Sequence, residues 1–109
     1  MPRIQLLADV RGQILPSHTS VDVREVGLGG FSVETHDPLR PGVVLAFALS
    51  VDGAPDLTLR ARVVHCRPRT ELDAAGLYVT GLEFVLDDAH DASEAAALID
   101  RLTSVVSFE

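Results

Sequence analysis

From Val43 to Val51 apolar residues fall on every second position, with Val43, Leu45, Phe47, Leu49 and Val51 on one face and Val44, Ala46, Ala48 and Ser50 on the other. A period of two belongs to an extended strand with one buried face, because successive strand side chains point to opposite sides. Asp52-Gly53 follows at once, a dipeptide suited to the left-handed backbone of a tight hairpin. The alternation then resumes, with Leu57, Leu59, Ala61 and Val63 on one side and Thr58, Arg60 and Arg62 on the other. An antiparallel hairpin therefore occupies the middle of the chain. The adjacent Val63 and Val64 mark a bulge where the inward register changes.

The same pattern recurs on both sides. Ile4, Leu6, Ala8 and Val10 alternate ahead of Arg11-Gly12, which reads as a turn. Val21 and Val23 alternate with Asp22 and Arg24, and Gly27-Leu28-Gly29-Gly30 forms a flexible turn into Phe31-Ser32-Val33-Glu34. Near the end Tyr78, Leu82, Phe84 and Leu86 share a parity. Strands are predicted near residues 4–10, 20–26, 30–34, 43–51, 57–66 and 77–86. Six short strands at this spacing, antiparallel by hairpin, make a small all-β barrel or sandwich. Leu45, Phe47, Leu59, Phe84, Leu98 and Leu102 are its expected core.

After residue 86 the period lengthens. Asp91-Ala-Ser-Glu94 has the form of a capping box with Asp in the first place. Beyond it Ala92, Ala95, Leu98, Ile99, Leu102, Val105 and Val106 fall on one helical stripe. One amphipathic helix near 90–105 is expected to dock on a barrel spanning about 1–86, the whole of 1–109 forming a single domain. If the helix continued past Val106, Phe108 would fall on its outward side with Ser93, Ala96, Ala97, Asp100 and Ser104, a surface small enough for a partner or a second copy to approach; the alternative is that the helix ends near Val106 and Phe108 folds back onto the barrel.

Charge narrows the function. The net charge is −7, and the stretch from Asp87 to Glu109 carries −5 of it. The remaining −2 offers no clustered positive surface for a long run of nucleic-acid phosphate, so neither DNA nor RNA is an expected partner. A small dianion held by a few arginines stays open. Met1 to Gly12 lacks the sustained apolar run of a secretory signal, and Val43 to Leu49 is too short to span a bilayer. The lone Cys66 forms no internal disulfide. A cytoplasmic domain without membrane insertion is expected.

Catalysis finds no foothold. His18, His36, His65 and His90 lie in four segments, and the neighbours His65 and Cys66 point to opposite faces of a strand, so no metal site is expected. Cys66 reads as a small core residue, and Asp87-Asp88 fall at a helix start, where capping accounts for them. No cofactor and no enzymatic activity are expected.

The segment Val21-Asp-Val-Arg-Glu-Val-Gly-Leu-Gly-Gly-Phe-Ser-Val33, with Pro41-Gly42, Ala61-Arg-Val-Val64, Gly81-Leu-Glu-Phe84 and the terminal helix, resembles the PilZ domain. The resemblance implies a six-stranded antiparallel barrel that often receives cyclic di-GMP and regulates motility, polarity, pili or polysaccharide export. It also implies a ligand site built on an RxxxR stretch and a [D/N]xSxxG turn. The turn maps onto Glu25, Gly27 and Gly30, and Arg3 matches the second arginine of the pair; the first would fall ahead of Met1. Gly30 keeps the pattern, Glu25 adds a methylene, and Gly27 removes a hydroxyl. Losing a charged contact costs roughly 1.5–3 kcal/mol and a hydroxyl bond about 1. With the displaced Glu25 carboxylate the deficit is on the order of 4 kcal/mol, about a thousandfold in affinity. The expectation is an adaptor working through a protein partner, self-association included, with weak or no cyclic di-GMP binding. The alternative is a cyclic di-GMP receptor using Arg3, Glu25, Gly27 and Gly30, aided by Arg11 or Arg24.

Overall fold

Alternating β-branched and aromatic residues produce the strands expected near 20–26, 30–34, 43–51, 57–66 and 77–86, while residues 5–9 of the strand expected over 4–10 lie outside the described residues. The computed structural model describes residues 3–4, 10–52, 56–70 and 76–105. In chain order the elements are β1 (Arg3–Ile4), β2 (Val10–Leu15), β3 (Thr19–Gly27), β4 (Gly30–Thr35), β5 (Val44–Val51), β6 (Leu57–Pro68), β7 (Tyr78–Phe84) and α1 (Ala89–Val105). Every strand pairing is antiparallel. The neighbours run β3-β2-β5-β6-β7-β4, and β4 returns to β3, closing a six-stranded barrel. The short β1 lies on the β2 side of β3, pairing Arg3 with Gly27 and Ile4 with Val26.

The inward faces meet in one core that includes Val26, Phe31, Val33, Phe47, Leu49, Leu59 and Val63. Phe31 meets Phe47 edge-on at 5.3 Å between centroids and Phe84 at 5.7 Å. Leu98 and Leu102 of α1 bring the helix into the same core, and α1 packs on β6 and β5. No helix among the described residues is long and apolar enough to cross a membrane.

Several expectations need correction. Arg11-Gly12 is not a turn but the middle of β2, and the turn falls later, at Pro16–His18. A Cβ on Gly12 would stand 2.5 Å from Leu49 Cδ2, so this glycine makes room for a core leucine. Leu45 is half-buried, while Val43 and Leu86 are exposed, Val43 preceding β5 and Leu86 following β7. Val85 is buried in place of Leu86.

The helix falls where it was expected, near 90–105, but its cap is not Asp91. Asp88 caps it, its Oδ1 accepting the Asp91 backbone N–H at 2.8 Å, and Asp91 moves into the docking stripe while Ala92 faces solvent. Buried Asp91 is claimed by Arg60, whose Nε donates to Oδ2 at 2.9 Å. That hydrogen bond, and then the guanidinium charge, hold the Asp91 carboxyl below its ordinary range against the opposing effect of desolvation. Val106 and Phe108 lie outside the described residues.

Candidate functional site

Two bulges shape the outer surface of β3, β4, β7 and β6. In β3 the register shifts between Val23 and Glu25, so Arg24 and Glu25 both face outward. In β6 it shifts between Val63 and His65, so Val64 and His65 both do. Without its bulge each strand would turn Glu25 or His65 toward the core, since strand side chains alternate. With both bulges the register places Glu25, Ser32, Gly81 and His65 in one row across four strands. The row beside it runs through Gly30, Glu83, Arg62 and Val44.

Small residues in the middle of these rows leave a groove. It has a volume of ≈ 370 Å³, and the residues lining it include Glu25, Gly27, Gly30, Ser32, His65, Gly81 and Glu83. The His65 ring lies across Gly81, where a Cβ would sit 2.5 Å from Nε2. Gly30 has a structural role of its own: a Cβ there would fall 1.9 Å from the Leu82 carbonyl oxygen. The turn is tied to β7 by the Phe84 N–H, which donates to the Gly29 carbonyl at 3.0 Å.

The residues expected from sequence divide as follows. Glu25, Gly27 and Gly30 come together in this groove. Arg3 stands beside it through its backbone pairing with Gly27, its side chain being outside the described atoms. Arg11 lines a separate polar groove of ≈ 490 Å³ with Asp22 and Asp56. Arg24 turns toward Glu34, its Nε 3.8 Å from Oε2, and Arg69 donates to the same oxygen at 2.7 Å. Among the described residues no arginine lines the motif groove, and the ionisable side chains that do are Glu25, Glu83 and His65. Arg62 approaches from the rim, donating to Glu83 Oε1 at 3.0 Å.

Sequence reading missed His65, Gly81 and Glu83. The Val63-Val64 bulge was its one usable signal, because placing it correctly turns His65 outward. Cys66 is half-buried and accepts hydrogen bonds from the Leu39 N–H at 3.4 Å and Thr80 Oγ1 at 3.3 Å. Among the described residues no three His, Cys, Asp or Glu side chains are grouped to hold a metal ion.

Known proteins share this architecture. The chain superposes on K. pneumonia MrkH in its c-di-GMP complex with a TM-score of 0.72 at 18% identity, covering 95% of this chain and 52% of that one. It matches the PilZ domain of Escherichia coli YcgR with c-di-GMP at a TM-score of 0.62 and 12% identity, covering 95% and 90%. It matches the Bacillus subtilis inhibitor of motility MotI/DgrA at 0.61 and 17%, covering 94% and 49%. The chain thus spans about half the length of MrkH and of MotI/DgrA, and at these identities the likeness is one of fold. No curated protein matches it. The family model of the PilZ domain matches residues 2–101, and with the closed barrel, the glycine turn and the C-terminal helix in place, the chain belongs to the PilZ domain family.

Proposed function

We propose that this PilZ domain is a regulatory adaptor that acts through protein–protein contact and binds cyclic di-GMP weakly or not at all. It is not an enzyme, and it serves cytoplasmic signalling over motility, polarity, pili or polysaccharide export. One observation carries the reading: the described residues that line the groove beside the motif turn include the carboxylates Glu25 and Glu83 and no arginine. A cyclic dinucleotide brings two phosphate charges, which guanidinium forks recognise well and carboxylates repel. At Gly27 the missing hydroxyl removes one hydrogen bond more.

Supporting the regulatory setting, the similar folds include one titled an inhibitor of motility and one described as a c-di-GMP-dependent transcription regulatory factor. The test is calorimetric titration of cyclic di-GMP at physiological salt. Micromolar or weaker affinity is expected, and submicromolar affinity would overturn the adaptor reading. The double change Glu25→Asp with Gly27→Ser should tighten binding at least tenfold. No gain would show that these two positions do not contact the nucleotide.

A further inference from the structure

Five large apolar side chains are exposed among the described residues: Leu28, Val43, Val44, Val64 and Leu86. Exposed apolar residues scattered singly need no account, whereas contiguous ones mark contact surfaces. Three of these five, Val44, Val64 and Leu28, flank the motif groove. Val44 pairs with Arg62, and Arg62 with Glu83 on the groove. Val43 accepts a hydrogen bond from the Val63 N–H, and Val64 is the bulged residue that follows. Val44 and Val64 therefore border Arg62 on the outer face and form a ledge on the β6 side, while Val43, next to Val44 in the chain, has the opposite parity. Leu28 stands at the opposite side, in the turn whose flanking Gly27 and Gly29 line the groove.

Between ledge and turn the floor carries small residues at Gly30 and Ser32, with the His65 ring laid over Gly81. Such a floor admits an extended chain, whose alternate side chains can reach both sides. The charge of the lining selects among occupants. Arg62 engages Glu83 through Oε1 alone, and both side chains are about half exposed. A carboxylate accepts several hydrogen bonds, so a second cation can join at Oε2. An anionic lipid surface would meet carboxylates here.

We infer that this groove and its valine ledge dock an extended segment of a partner protein, with aliphatic side chains on Val44, Val64 and Leu28 and an intervening arginine or lysine on Glu83. The inference rests on the adaptor reading above and assigns it a surface and a partner chemistry. Because Val64 and Glu83 are exposed, changing them leaves the core untouched.

The experiment titrates the ¹⁵N-labelled domain with two capped synthetic peptides, Leu-Arg-Val-Arg-Leu and Leu-Glu-Val-Glu-Leu. The basic peptide should move the amides of Gly29, Ser32, His65 and Gly81 and leave Gln13 and Ser20 in the second groove in place. Val64→Asp should weaken it at least tenfold and Glu83→Gln at least threefold, with unchanged circular dichroism. Four results would overturn the inference: no groove shifts at millimolar peptide, equal binding of the acidic peptide, full affinity in Val64→Asp, or concentration-dependent groove shifts without peptide, which would identify a second copy as the occupant. Failure here while cyclic di-GMP remains weak leaves the adaptor reading standing with its contact elsewhere. Submicromolar cyclic di-GMP binding removes that reading whatever the peptides do.

Discussion

Gly30→Ala separates what the motif turn does for the barrel from what it does for a ligand. A methyl at this position would lie 1.9 Å from the Leu82 carbonyl oxygen and 2.9 Å from the Glu83 Cα. Ordinary contact begins near 3.4 Å, and both obstacles are backbone, so no side chain can swing aside. β4 must retreat from β7 by more than an ångström. That displacement strains the Phe84–Gly29 hydrogen bond and the packing of Phe31, the next residue along β4, against Phe47 and Phe84. Overpacking of this kind costs roughly 1–3 kcal/mol, and a lost backbone hydrogen bond about 1 more. The expected loss is roughly 2–4 kcal/mol. For a domain of this size that lowers the melting temperature by roughly 8–16 °C. Urea unfolding followed by circular dichroism measures it directly. A loss below about 0.5 kcal/mol would refute the close approach of β4 to β7. If the loss is as large as expected, weaker ligand binding by Gly30→Ala reports a damaged scaffold and identifies no contact.

Phe47, fully buried and edge-on to Phe31, should cost roughly 3–5 kcal/mol on truncation to Ala, measured as a lower urea midpoint at unchanged slope. Asp91 makes stability depend on acid. Its carboxyl is held below the usual range by Arg60, so its contribution is complete above the unfolded carboxylate value of about 4 and fades as pH falls through the lower folded value. Asp91→Asn should therefore lower stability at neutral pH and flatten the decline between about pH 5 and pH 2; an unchanged acid limb in thermal unfolding would show that Arg60 does not hold this group.

The strands were legible wherever apolar residues alternated across a half-buried surface. Phe47, Leu59 and Phe84 declared themselves because one register satisfies both the pattern and the core. Gly12 did not, since a glycine in a strand and a glycine in a turn look alike until the facing side chain, here Leu49, is known. Asp91 was misread for a related reason. A carboxylate near a helix start fits a cap by local rules, and only its contact with Arg60, 31 residues earlier in sequence, shows it to be part of the docking stripe. Of the groove, the motif turn could be read in the chain, but its far wall could not. His65, Gly81 and Glu83 reach it through the pairing of β6 with β7 and through a bulge whose consequence is long-range.

The motif positions therefore differ in what the fold demands of them. Gly30 is locked by the β7 backbone, so the barrel requires it with or without a ligand. Glu25 and Gly27 belong to the groove lining, and Glu25 faces outward. The bulge at Arg24 turns position 25 outward whatever residue stands there. On the reading proposed above, substitutions at 25 and 27 weaken nucleotide binding while the same bulges keep the groove open. On that reading the barrel gives up a dianion and keeps a surface on which another chain can lie.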